Sequence, residues 1–326
     1  MDAPREQVVS DVGEIALVAR IAAGIGSPPS QEVWSGDDAA VVEVGGARLL
    51  FTIDTLVEHA DFDRANAGGA DLGYKALAVT VSDIAAMGGR PKRAVVSLTV
   101  PSDTPVGYVD DIMAGLVEGT GRWGVGLVGG DLSGGQEISI SVALVGEAPE
   151  AVLRSGARPG QALCVTGALG GSAGGLAVLG SGRAPVGAER ELIRRHLRPE
   201  PRVEEGGILA RAGCSAMIDV SDGLAVDLWR LAEASGVGCE VDDSLIPVDP
   251  ALAGSGAVDD PLAAAVLGGE DYELLLTIDE DTVTDASHMV AAGLTRIGVT
   301  TDGARLLGGR SLDEWRAQGW EHLSSR

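Results

Sequence analysis

Residues 71–89 read DLGYKALAVTVSDIAAMGG, a long run of small and aliphatic side chains whose only interior charges are Lys75 and Asp83. Asp71 is a candidate N-cap, and Gly88–Gly89 followed by Pro91 mark a stop, so the stretch reads as a helix. Immediately after it, Arg93–Val100 reads as a β-branched strand ending at Pro101. Before it, Ala39–Val44 and Arg48–Asp54 read as two strands joined by a Gly45–Gly46 turn, a hairpin pattern. A hairpin, then a helix, then a strand is the alternation of an α/β arrangement.

Working outward, Val109, Ile112, Met113, Leu116 and Val117 fall on one face of a second helix, with Asp110, Asp111 and Glu118 off it. Val125–Val128 and Ile138–Val145 read as further strands. The pattern resets through the Pro- and Gly-bearing stretch around Glu147–Gly160, and 326 residues favour two cores over one. The chain therefore divides into residues 1–148 and 149–326. The second part repeats the theme. Ala162–Thr166, Ala216–Val220 and Tyr272–Ile278 read as strands, while Leu192–Leu197, Val203–Ala212, Leu224–Ser235 and Leu312–Gln318 read as helices.

Composition excludes several classes of function. With 24 Lys+Arg against 48 Asp+Glu the net charge is −24, which argues against a nucleic-acid or anionic-membrane binder. Lys75 and Lys92 are the only lysines. The three cysteines, Cys164, Cys214 and Cys239, lie far apart in unrelated contexts, neither a disulfide framework nor a zinc site, and they fit a reducing compartment. The start MDAPREQVVSDVGE lacks the basic and apolar regions of a signal peptide, and acids interrupt every apolar stretch short of a membrane span. A cytoplasmic protein is expected.

A small set of acids departs from the ordinary solvated charge. Asp54 follows LLFTI, Asp83 sits inside ALAVTVSDIAAM, Asp131 ends GVGLVGGD, and Asp219 and Asp222 bracket the turn in AMIDVSDG. An ionised carboxylate in an apolar segment is costly unless partnered. With lysine nearly absent, two readings stand: a divalent-cation site of oxygen ligands suited to Mg²⁺ or Ca²⁺, or N-caps, hydrogen-bonded turns and structural ion pairs. GDDAAVV, residues 36–42, adds adjacent acids before a strand, where an Asx-turn is equally available.

Gly124-Val-Gly126-Leu-Val-Gly129 matches G-x-G-x-x-G, but a helix precedes it and the glycines lie in and after a strand, so it is no dinucleotide fingerprint. Neither lysine completes a Walker A loop. Gly129–Gly130–Asp131 and the GALGGSAGG stretch (Gly167–Gly175) could offer backbone N–H groups to phosphate, or serve as tight turns and close helix contacts. His59, His196, His288 and His322 sit in no nucleophile–base context and read as structural or surface residues.

Eight segments, GDDAAVV, TIDTLVE, DLGYKALAVTVSDIAAMGG, LVGGDLSGG, VLRSGARPGQ, HLRPEPR, MIDVSDGLAVDL and GGEDYEL, resemble the thiamine-monophosphate kinase family in content and order. The resemblance runs from Gly13 to Trp320. It implies a two-domain α/β (α+β) subunit of the aminoimidazole ribonucleotide synthetase-like fold. An N-terminal ATP- and Mg-binding domain would dimerise through its sheet into a barrel-like core, followed by a C-terminal α/β domain. It implies direct in-line transfer from ATP to thiamine monophosphate, giving thiamine diphosphate, with several Mg²⁺ ions as cofactor. By match to the family motifs, Asp38, Thr52, Ile53 (through its carbonyl), Asp54, Asp83, Asp131, Asp219 and Asp222 would form the metal shell. Asp131 and Asp222 would carry catalysis. Trp123, Gly130, Asp131, Arg154 and Ser221 would contact ATP, and Asp61, Glu270 and Trp320 the thiamine phosphate. Two positions depart from the family. Thr52-Ile53-Asp54 stands where Ser-Thr-Asp is common, and Asp61-Phe62 where His-Phe is common. The selenophosphate synthetases of the same superfamily carry a reactive N-terminal Cys or selenocysteine, whereas no Cys precedes Cys164 here.

Overall fold

The computed structural model describes residues 8–319. Two short helices, α1 (Val9–Val12) and α2 (Glu14–Ile25), precede a first layer made of β1 (Ala40–Val44), β2 (Ala47–Val57), α3 (Gly69–Ala86), β3 (Arg90–Val100), α4 (Val106–Trp123), β4 (Gly126–Gly134) and β5 (Ser139–Glu147). The strands form one sheet in the order β1-β2-β5-β3-β4, antiparallel except for β3 and β4, which the α4 crossover joins in parallel.

Strand alternation decides which residues reach the site. Leu50 and Leu56 of β2 and Ala94, Val96 and Leu98 of β3 are buried under α3 and α4. Thr52 and Asp54 share the phase of Leu50 and therefore look toward α3. The opposite face is open: Phe51, Ile53 and Val95 are exposed there, Ile53 at 65%. The five strands do not close into a barrel.

α3 is buried almost throughout because it has neighbours on every side. It lies on the first sheet and packs α4 backbone to backbone, since a Cβ on Gly73 would stand 2.0 Å from the Ile112 carbonyl oxygen and one on Gly115 1.9 Å from that of Ala70. That close crossing turns the α4 face away from expectation. Ile112 and Leu116 are buried, but Met113 and Val117 are exposed at 40% and 59%, because Gly115 and Gly119 take their place in the contact. Asp71 is not the N-cap either. The helix starts at Gly69 after Gly68, and the Asp71 carboxylate pairs with Arg198 at 3.0 Å. Nor do Gly129–Gly130–Asp131 form a turn; β4 runs through them, with Gly130 opposite Val96 and Asp131 opposite Ser97.

The second layer comprises β6 (Ala162–Thr166), α5 (Gly171–Gly180), α6 (Glu189–Leu197), α7 (Val203–Arg211), β7 (Ala216–Asp219), α8 (Leu224–Ser235), β8 (Gly238–Val241), α9 (Pro250–Ala253), α10 (Pro261–Leu267), β9 (Leu274–Ile278), α11 (Val283–Met289), β10 (Leu294–Thr301), β11 (Arg305–Leu307), β12 (Arg310–Ser311) and α12 (Leu312–Arg316). Its sheet runs β12-β11-β8-β10-β6-β9-β7. Both faces are covered: Leu163, Val165 and Ile218 pack with Leu224, Leu228 and Leu231 of α8, while Cys164, Met217 and Leu276 pack with Leu209 of α7. The Gly-rich segment after β6 is partly helical, because α5 needs small residues to lie on α6: a Cβ at Gly175 would meet the Leu192 carbonyl oxygen at 2.2 Å. No described helix is long and apolar enough to cross a membrane.

Candidate active site

The two sheets meet at the C-terminal end of α3. Asp83, in its last turn, meets Asp219 at the end of β7 and Asp38 in the loop before β1, and the three offer carboxylate oxygens within 4.8 Å of one another. Thr52 on β2 donates its hydroxyl to Asp83 Oδ2. Ser82 donates to Asp219 Oδ2 at 2.5 Å, and Arg154 Nη2 sits 2.7 Å from Asp38 Oδ1.

Burial, followed by the charges of Asp54, Asp219 and Asp38, pushes the Asp83 carboxyl well above its ordinary range. Burial raises Asp219 and Asp54 as well, and lifts Asp37 to about 7, with the neighbouring Asp38 adding to it. The protein supplies little to offset this: among the described residues Arg154 is the one guanidinium ion-paired with Asp38, Asp83 or Asp219. Asp38 Oδ2 and Asp54 Oδ2 are buried without a hydrogen-bond partner. Three carboxylates converging from three elements, with two buried oxygens of the site left orphaned, are what a hard divalent cation requires, so these residues fit the Mg²⁺ of the expected shell.

Beside the cluster opens a cavity of about 660 Å³, walled by Asp54 and Asp83, the 59–67 loop, α5, the 196–197 corner, Ser221–Asp222 and residues 267–272. No Lys or Arg is among its lining residues. Asp222 enters from the turn after β7, where Asp227 Oδ2 accepts the N–H groups of Ser221 and Asp222, each at 3.0 Å, and Arg230 Nη1 holds Asp222 Oδ2 at 2.5 Å. Asp61 lines the loop wall, and its Oδ2 accepts the Val57 N–H at 2.7 Å. Glu270 lines the opposite wall in a left-handed conformation, φ 65°.

Asp38, Thr52, Asp54, Asp83, Asp219, Asp222, Arg154, Ser221, Asp61 and Glu270 are thus gathered on one cluster and its cavity. Four other expected site residues do not line the cavity within the chain: Ile53, Trp123, Gly130 and Asp131, the last two on β4. The Ile53 side chain points to the open face; its expected contribution is the backbone carbonyl, not that side chain. Asp131, in register with Ser97, is on that same open face, away from Asp83. Trp123 ends α4 with its ring 5.0 Å from that of Tyr74 and does not line the cavity. Trp320 lies outside the described residues. Sequence reasoning missed Asp227, Arg230, Lys75 and His196. Asp227 had a signal, a second acid five residues after Asp222 at a helix start; His196 had none, because its neighbours in space are distant in sequence.

Residues 36–148 match the family model described as AIR synthase related protein, N-terminal domain, and residues 158–307 the corresponding C-terminal domain. The fold and its carboxylate cluster thus define a member of the AIR synthase related proteins. The thiamine-monophosphate kinase of Mycobacterium tuberculosis is 37% identical over 328 aligned positions, covering 98% of this chain and 94% of that one. The solved structure of AaThiL complexed with AMPPCP and TMP superposes with a TM-score of 0.90 at 33% identity, over 98% of this chain and 100% of the other. Thiamine monophosphate kinase from Aquifex aeolicus superposes with a TM-score of 0.83 at 32% identity, over 94% and 99%. The chain belongs to the thiamine-monophosphate kinase family of enzymes.

Proposed function

We propose that this chain transfers the γ-phosphoryl group of ATP in line to thiamine monophosphate, giving thiamine diphosphate and ADP, the last step in making that cofactor. The observation that carries the reading is the convergence of Asp38, Asp83 and Asp219 beside a cavity without lining Lys or Arg. Two anionic substrates cannot approach such a surface unless cations stand between them.

Asp38, Thr52, the Ile53 carbonyl, Asp54, Asp83, Asp131, Asp219 and Asp222 are the residues proposed to hold several Mg²⁺ ions. When bound, the ions supply the positive charge that neutralises phosphate oxygens. The remaining work is positioning, because phosphoryl transfer leaves little covalent chemistry for side chains. Arg154, held against Asp38, Ser221, Gly130 and Trp123 are assigned to ATP. Asp61, Glu270 and Trp320 are assigned to thiamine phosphate, and Asp222, fixed by Arg230 and the Asp227-braced turn, to the transfer itself. Asp131 faces away from its own cluster, so its part in metal binding and catalysis requires a second copy against the open sheet face. Exposed Phe51, Ile53 and Val95 on that face support a homodimer packed there into a barrel-like core. Residues 1–148 would form the dimerising, ATP-binding domain and 149–326 the second domain. That the reaction uses ATP to make a soluble cofactor supports a cytoplasmic location.

The test is ADP formation from Mg²⁺-ATP with and without thiamine monophosphate, with the product identified by mass. Thiamine diphosphate formed only when both substrates are present is the expected result. A folded protein that binds Mg²⁺-ATP and forms none would overturn the reading.

A further inference from the structure

Lys75 is 3% exposed in the first half of α3, and its Nζ lies 2.6 Å from Glu270 Oε1. The other carboxylate oxygen of Glu270 lies 3.3 Å from Nδ1 of His196, the buried residue near the end of α6. The Glu270 backbone is also tied down, its N–H donating to the Ser221 carbonyl at 2.7 Å. One helix from each layer, α3 and α6, therefore holds a side chain whose carboxylate faces the cavity, and the turn after β7 holds its backbone. The arrangement is not a nucleophile relay: Ser172 Oγ also meets His196 at Nδ1, 3.0 Å away, so serine and carboxylate share one ring nitrogen instead of taking opposite ones.

We propose that Lys75 and His196 are positioning residues that present Glu270 as a charge-balanced, directionally fixed hydrogen-bond acceptor for an N–H donor of the thiamine phosphate, setting selectivity for that substrate. This deepens the function proposed above and rests on it. Elsewhere the cavity wall carries carboxylates, and a further free charge would repel the substrate phosphate; the Lys75 ammonium cancels that of Glu270 locally. His196 adds a contact without adding charge, because burial, and after it the Lys75 charge, lower its pKa to about 4. The grip leaves the acceptor direction fixed before the ligand arrives, which lowers the ordering cost of binding.

The experiment measures steady-state kinetics with each substrate varied in turn for Lys75→Met, His196→Gln and the double variant Lys75→Met/Glu270→Gln. Lys75→Met should raise KM for thiamine monophosphate by about tenfold or more, as expected when a buried partner is removed, with KM for ATP within about twofold. The double variant, with no charge left unpaired, should fold as the wild type does and add little to the Lys75→Met loss. Should Lys75→Met not fold, His196→Gln carries the same comparison, with a rise confined to KM for thiamine monophosphate. Unchanged KM for thiamine monophosphate in the folded variants, or equal rises for both substrates, overturns the inference. If the wild type forms no thiamine diphosphate, the kinase reading fails instead; calorimetric binding of thiamine monophosphate to wild type and Lys75→Met then decides the positioning role alone.

Discussion

The hydroxyl of Ser82 donates to Asp219 Oδ2 at 2.5 Å, a bond between residues 137 positions apart that joins α3 to the last residue of β7. Asp219 is 2% exposed, so the hydroxyl is a partner that water cannot readily replace. Ser82→Ala should cost about 1–3 kcal/mol of stability and weaken Mg²⁺ binding. Urea unfolding with and without Mg²⁺ checks both; an unchanged midpoint would show that the bond contributes nothing net.

Asp83 and Asp131 lie on opposite faces of the first sheet. If the site is completed by a second copy, Asp83→Asn and Asp131→Asn homodimers should each be inactive. After subunit exchange, half of the dimers are mixed and each keeps one intact site, so about a quarter of wild-type activity should return. No recovery in a mixture verified as exchanged would put both residues in one chain's site. Asp131 is exposed within one chain, so Asp131→Asn should leave the stability of the single folded chain within about 0.5 kcal/mol.

Val95→Glu places a charge on the open sheet face, on the side of the sheet away from Asp38, Asp83 and Asp219. Light scattering should give twice the 33.0 kDa chain mass for the wild type and the single-chain mass for the variant, with activity lost in step. A wild-type monomer with full turnover contradicts the assembly.

Asp271 accepts the Gly170 and Ser172 N–H groups at the start of α5, at 2.6 and 3.0 Å, yet burial lifts its pKa to about 7 from the ordinary 3.8. A carboxyl raised on folding binds its proton more tightly in the folded state. Its contribution to stability is therefore full below about pH 4 and declines as pH rises toward 7. Asp271→Asn, which cannot ionise, should flatten that part of the stability–pH curve in chemical denaturation; a slope equal to that of the wild type would refute it.

Asp61, which the family resemblance sets in place of an expected histidine, accepts the Val57 N–H with its carboxylate. Asp61→His should lose about 0.5–1.5 kcal/mol of stability through that turn and lower KM for thiamine monophosphate by removing a negative charge from the cavity wall. A higher KM would mean that the Asp61 carboxylate attracts the substrate, through its cationic ring or a bound cation, instead of repelling its phosphate.

The elements legible in the sequence were those with a strong period or clear punctuation. Leu224–Ser235 and Ala162–Thr166 fall where expected, and Asp54, Asp83, Asp219 and Asp222 do meet at one site, as acids placed in apolar segments without cations suggested. The misread features depend on close approach of backbones. Glycines in α4 displace Met113 and Val117 from the interface, whereas GALGGSAGG does what its glycines allowed: Gly167 and Gly170 turn the chain with positive φ, and Gly174 and Gly175 let α5 lie on α6. Lys75, Glu270 and His196 share no spacing at all, since three separate elements bring them together only when both layers have formed.

Burial of α3 by both layers has a consequence for how this polypeptide can be divided. The helix is continuous with the first sheet, yet it supplies the neighbours of β7 and α7: Ser82 holds Asp219, and a Cβ on Gly206 of α7 would stand 2.1 Å from the Ala85 carbonyl oxygen. A fragment ending after β5 would carry that apolar cylinder half undressed, and a fragment beginning at β6 would present Asp219 and Glu270 with no hydroxyl or ammonium to meet them. Gene fusions or chimeras that exchange one half between relatives must therefore carry the α7 and β7 surface along with α3, because the halves were shaped as lock and key and not as interchangeable modules.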